Sequence, residues 1–205
     1  MTNSSFYFDI LYPLQDRAIQ AIMQADTEFY LTGGTASSRV YLHHRFSDDL
    51  DYFVNDDNRF GLWAERVIQS LVKNTDWTCN VLMKEERFVR LNLVTAGASL
   101  KLEFVNDVPA RVGETRTHPI FGRYDSAENI LANKVTAVLD RKAPKDLADI
   151  WGFCTQKNLS LHEAITGAQG KAAGVFPADL GRVLCSVTRE DWEAIRWITP
   201  PPAET

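Results

Sequence analysis

Apolar residues at Leu11, Leu14, Ala18, Ile22 and Ala25 recur every three or four positions, a spacing that gathers them on one side of a helix over Leu11–Ala25. A short apolar strand follows at Glu28–Leu31, and Gly33-Gly34 then supplies the backbone freedom for a tight turn into a helix starting near Thr35. The period changes to two over Asp48–Val54, which predicts a second strand closed by the polar turn Asn55–Asn58. Phe60, Trp63, Val67, Ile68 and Leu71 mark an amphipathic helix over Arg59–Lys73. Three further strands, Trp77–Lys84, Arg87–Thr95 and Ser99–Val105, are separated by Glu85-Glu86 and Ala96-Gly97-Ala98, which are short enough for hairpins. Val108–Tyr124 reads as irregular, and helical patterns then cover Ser126–Arg141, Lys145–Lys157, Leu161–Gly170 and Glu190–Trp197. The elements predict an α+β fold, with a mixed α/β core over residues 1–108 and a helical C-terminal part over residues 109–205.

Composition narrows the class without naming it. The 205 residues suffice for a sizeable core, and 45% apolar with 24% charged residues is ordinary for a globular protein. Disorder is expected only at Met1–Ser5 and Thr199–Thr205, where Pro200-Pro201-Pro202 blocks a helix. No stretch is apolar for long enough to span a bilayer and no basic-then-apolar leader opens the chain, so a cytoplasmic location is expected. Cys79, Cys154 and Cys185 are odd in number and scattered, and read as reduced, mostly buried thiols. The net charge of -5 disfavours indiscriminate nucleic-acid binding, although Arg87, Arg90, Lys101, Arg111, Arg116 and Arg123 leave room for a local basic patch.

The chemistry concentrates in Tyr30–Val54. Alternation places Asp49 and Asp51 on one strand face with Leu50 and Tyr52 on the other, and crowded carboxylates call for a cation, with magnesium the natural hard one. The Gly33-Gly34-Thr35 turn offers free backbone N–H groups to phosphate, while Asp49 and Asp51 hold the metal that bridges those phosphates. Each half alone is commonplace; in this order and spacing they point to a nucleotide site. On Ser99–Val105, Lys101 and Glu103 share one face, so Glu103 is the third carboxylate that two-metal phosphoryl chemistry needs, against the plainer reading of an exposed Lys–Glu pair on an edge strand. Further on, Lys134 is placed to reach a triphosphate, with Asp146 orienting Lys134 or Arg141. Adjacent His43 and His44 diverge too far on a helix to share a metal, the acidic run lacks the glycine and late glutamate of a calcium loop, and Trp63, Trp77, Trp151, Trp192 and Trp197 read as packing residues.

Taken together, LTGGTA, RFSDDLDYF, LKLEF and ENILANKVTAVLDRKAPKDLADIW resemble the AbiEii/AbiGii toxin family, within the DNA polymerase β-like nucleotidyltransferases, over Tyr30–Trp151. The resemblance implies a nucleotidyltransferase-like mixed sheet flanked by helices. It also implies a two-ion magnesium site on Asp49, Asp51 and Glu103, with NTP held by Gly33, Gly34, Thr35, Ser37 and Lys134. Lys145 with Asp146 matches the family's Lys-Asp pair, and Arg45 with Ser47 its Arg-x-Ser. Ala36-Ser37-Ser38-Arg39 is more polar than the family's usual aliphatic run, which leaves Ser37 and Arg39 either on the nucleotide or facing solvent. The implied activity is transfer of an NMP to a hydroxyl of RNA, such as a tRNA 3′ end, or of a protein, by the toxin of a type IV system with a cognate antitoxin. The alternatives are a catalytically silent nucleotide- or partner-binding module of the same fold and a structural domain without a ligand.

Overall fold

The computed structural model describes residues 3–201. The chain forms two compact units: one takes in residues up to Thr35, Asp48–Pro109 and Thr115–Asp125, the other Ala36–Ser47, Ala110–Glu114 and the chain from Ser126. Of the termini expected to be disordered, Met1, Thr2 and Pro202–Thr205 lie outside the described residues. Asn3 already begins a helix, and Thr199–Pro201 is without helix or strand.

The first unit is built on a seven-stranded mixed sheet of β1 (Tyr30–Thr32), β2 (Leu50–Asn55), β3 (Thr78–Lys84), β4 (Phe88–Val94), β5 (Ser99–Asp107), β6 (Arg116–His118) and β7 (Gly122–Tyr124), in the order β3-β4-β5-β2-β1-β7-β6. β2 runs parallel to β5 and antiparallel to β1, and β7 joins β1 in parallel at Leu31 and Tyr124. The region read as irregular therefore hides two strands, each of three residues, too short to carry an alternation signal.

α1 (Asn3–Phe6), a π turn over Tyr7–Leu11 and α2 (Tyr12–Met23) follow one another without a break, so the first helix begins well upstream of Leu11. α3 (Gly33–Thr35) is a single turn, and α4 (Phe60–Val72) is the predicted amphipathic helix. One sheet face buries Leu50, Tyr52, Val54, Leu100, Leu102 and Phe104, and Phe29 links Phe104 to Phe60 and Trp63 of α4 through edge-on ring contacts. That burial leaves the alternate residues of β2 and β5, the acidic ones, on the opposite face. Trp77 is buried and donates its indole N–H to the Leu71 carbonyl.

The second unit contains a π-helical segment, Ala36–Leu42, and α5 (Ala127–Arg141), α6 (Pro144–Gln156), α7 (Leu161–Gln169), α8 (Pro177–Cys185) and α9 (Arg189–Glu193). Local signals fix these ends. Ser126 caps α5 at the Asn129 N–H, Lys142 in a left-handed conformation stops it, and Pro144 and Pro177 open α6 and α8 in their first turns. The pattern missed α8 and overextended the last helix, which ends at Glu193. Trp151, Trp192 and Trp197 pack on one another with ring centroids 4.9–6.0 Å apart. The cysteines are free as expected but not mostly buried, since Cys79 and Cys154 are half-buried and Cys185 is exposed. Among the described residues no helix is long and apolar enough to cross a membrane.

Candidate active site

Parallel pairing of β2 with β5 sets Asp51 directly beside Glu103, and residues in register on neighbouring strands share a sheet face. Asp49 lies two residues before Asp51, with buried Leu50 between them pointing to the core, so all three acids emerge on the same side. Between β4 and β2, β5 is an interior strand, so the Lys101–Glu103 pair is not an edge-strand ornament.

The Gly-Gly-Thr turn is fitted to this acidic face. Gly33 has φ +63°, a left-handed conformation that suits glycine, and a Cβ placed there would lie 2.1 Å from Asp51 Oδ2. Thr35 is buried and its hydroxyl donates to the backbone carbonyl of Asp49, which ties the turn to the loop entering β2. The hydroxyl of Thr35, a residue expected to hold NTP, is engaged with the chain itself. Tyr7, presented by the π turn, donates to Asp48 Oδ1 at 2.5 Å and anchors the same loop from the N-terminal helix.

Two cationic side chains answer the acids. Lys101 Nζ lies 3.1 Å from Asp49 Oδ2 and 3.2 Å from Glu103 Oε1, and Arg90, opposite Glu103 on β4, donates through Nε to the same oxygen at 2.8 Å. Burial pulls the Lys101 ammonium down, but Asp49 and Glu103 outweigh it and raise its pKa above the ordinary lysine value. Arg87 pairs with Asp56 and Arg123 with Glu28, so much of the suspected basic patch is spent on ion pairs.

The cluster meets two requirements of a hard cation: its donors are carboxylate oxygens, and a positive charge already stands between two of them. Among the described residues, no three His, Cys, Asp or Glu side chains are drawn together around a metal position. Asp49 and Glu103 close on the ammonium instead.

The other predicted charged residues belong to the second unit. Lys134 is buried and its Nζ lies 2.8 Å from Asp146 Oδ1 and 2.7 Å from Asp149 Oδ2. Asp146 also accepts from Arg141 Nε and Nη2, at 2.7 and 3.0 Å, so it engages both cations it was expected to orient. Asp149, which no sequence argument singled out, is the hub. Arg45 grips it through Nε and Nη2, each at 2.7 Å, and His44 Nε2 approaches it at 3.0 Å. Burial alone would push the Asp149 carboxyl up, but Arg45 and Lys134 hold it well below the usual carboxylate range. The same contest lowers Asp146, where burial loses to Lys134 and Arg141, and raises Lys134, where burial loses to Asp149 and Asp146. Arg45 is thus a buried ion-pair partner within the Arg-x-Ser, and Ser37 is fully buried rather than facing solvent. A helical i, i+3 spacing from Asp146 to Asp149 was the available signal for the hub.

A family model described as nucleotidyl transferase AbiEii toxin, type IV toxin-antitoxin system, matches residues 17–194. The chain belongs to the AbiEii nucleotidyltransferase toxin family. Solved structures share the fold. One is JHP933 from Helicobacter pylori, at TM-score 0.57 and 21% identity, covering 82% of this chain and 73% of that one. Another is MenT4, a nucleotidyltransferase toxin from Mycobacterium tuberculosis H37Rv, at TM-score 0.51 and 16% identity, covering 90% and 86%. A search of the curated proteins gives no match. The AbiEii match spans both the acidic face of the first unit and the ion-pair network of the second.

Proposed function

We propose that this AbiEii family member transfers a nucleoside monophosphate from an NTP to a hydroxyl of an RNA, such as a tRNA 3′ end, or of a protein, as the toxin of a type IV system held in check by a cognate antitoxin. The observation that carries the reading is the shared face of Asp49, Asp51 and Glu103, with Asp51 and Glu103 in register on adjacent strands. Asp49, Asp51 and Glu103 would hold magnesium, which when bound supplies neutralisation of the triphosphate and polarisation of the attacking hydroxyl. The acceptor oxygen forms a bond to the α-phosphorus as the bond from that phosphorus to its bridging oxygen breaks. Pyrophosphate leaves, and Glu103 would take the hydroxyl proton. The turn at Gly33-Gly34 keeps the backbone close to Asp51, and the Gly34 N–H would reach toward the phosphates.

The test is incorporation from each radiolabelled NTP with magnesium, using tRNA, total RNA and a protein extract as acceptors. Wild-type protein is expected to label one acceptor class, and Asp49→Ala or Asp51→Ala to abolish labelling with the melting temperature nearly unchanged. Undiminished labelling by either variant would overturn the assignment. The ammonium of Lys101 among the acids favours a second reading, a module that binds nucleotide without catalysis. Nucleotide binding without incorporation into any acceptor would decide for it.

A further inference from the structure

Lys101 occupies a position that the proposed chemistry needs for something else. Its ammonium touches both Asp49, in the loop just ahead of β2, and Glu103 on β5. Its side chain is 37% exposed, so it can swing out toward water without disturbing the core, unlike the buried lysine of the second unit. Arg90 would remain on Glu103 after such a swing, because it reaches that carboxylate independently from β4.

We propose that Lys101 is the internal counter-ion of the acidic face, holding Asp49 and Glu103 together without metal and competing with a divalent cation for them. The inference rests on the reading of Asp49, Asp51 and Glu103 as a cation site and names the residue that sets its affinity. The physical argument is exchange. Without a cation, close carboxylates repel, and an ammonium at about 3 Å relieves that repulsion. A divalent ion offers twice the charge and several coordination positions, so it displaces the lysine at the expense of two ion pairs. Removing the lysine charge removes that expense. A half-exposed pair is a modest competitor, so the gain in cation affinity is expected to be about tenfold rather than thousands.

The experiment uses the full chain with Mn2+ as probe, counting free Mn2+ by electron paramagnetic resonance without nucleotide. Lys101→Met should bind Mn2+ about tenfold more tightly than the wild type, while Lys101→Arg, which keeps the charge, should stay near wild-type affinity. In parallel, Lys101→Met without metal should melt at a lower temperature than the wild type and recover more on adding Mn2+. Should Lys101→Met fold poorly, Lys101→Gln serves for the same measurement. Equal Mn2+ affinity in the wild type and the uncharged variant would overturn the counter-ion role alone. No Mn2+ binding by either would overturn it together with the cation-site reading on which it rests.

Discussion

The two units handle charge in opposite ways. On the first, Asp49, Asp51 and Glu103 lie on a partly exposed sheet face, answered by Lys101 and Arg90 through side chains 37% and 39% exposed. In the second, Lys134, Asp146 and Asp149 are buried, with Arg45 and His44 closing the network from Ala36–Ser47. Exposed pairs are exchangeable, because water screens them and replaces either partner at little cost. Buried pairs are committed, because a lost partner strands a charge that water cannot reach. The acidic face is thus built to trade its counter-ion for a ligand, whereas the buried network is built to keep its own. Each substitution below asks whether that division holds.

The largest effect is expected at the hub. Asp149→Asn removes the charge that answers Arg45 and Lys134 together, and the second unit should lose about 3–5 kcal/mol in denaturant unfolding. By contrast, removing Asp49 from its half-exposed pair with Lys101 should cost no more than about 1 kcal/mol. Equal losses at Asp49 and Asp149 would erase the distinction between exchangeable and committed charge.

Gly33→Ala probes the acidic face through geometry instead. Alanine at φ +63° costs about 1–2 kcal/mol, so the fold should survive. Its Cβ, however, would require the Asp51 carboxylate 2.1 Å away to turn aside. A displacement of that order should lower NMP incorporation roughly 100-fold. If incorporation stays within a few-fold of wild type while the melting temperature falls, the turn serves the fold rather than the acids.

The acidic face was legible because strand alternation is a local rule. Leu50 and Tyr52 had to go inward, which sent Asp49 and Asp51 outward, and the same period on β5 did this for Glu103. Pairing was not legible. Nothing local says that β5 sits beside β2 in parallel, the arrangement that brings Glu103 to Asp51, nor that three-residue strands at Arg116–His118 and Gly122–Tyr124 extend the sheet past β1. The hub escaped for a related reason. Asp149 and Arg45 are 104 positions apart, so although Arg45 stood out within the Arg-x-Ser, nothing local joined it to an aspartate that alone looks like an ordinary surface charge. His44 was weighed only against His43, its neighbour in sequence, and its actual partner is that distant aspartate. Tyr7 also lay before the first recognised helix, so its link to Asp48 had no sequence signal.

His44 offers the finest test of committed charge, through pH. With Asp149 held as a carboxylate, His44 Nε2 carries the proton and donates to Oδ1, while Nδ1 is buried with no hydrogen-bond partner among the described residues. A second proton would fall on that unsolvated nitrogen, with the positive Arg45 and Lys134 nearby, so burial lowers the pKa below the ordinary 6.5 despite the pull of Asp149. The folded state therefore binds this proton more weakly than the unfolded chain. The stability linked to neutral His44 is complete above pH 6.5 and falls as pH drops toward the lowered value, by at most about 1.4 kcal/mol per pH unit. Asp146 and Asp149 act later, since their depressed values keep their contribution intact until pH falls below about 3.8. Melting temperatures measured from about pH 7.5 to about pH 2.5 should decline below 6.5 in the wild type, and His44→Gln should flatten that first decline while leaving the steeper acid limb below about 3.8. An unchanged slope between pH 6.5 and 5 in His44→Gln would mean that this histidine carries none of the early loss, and that the hub keeps its charge balance without it.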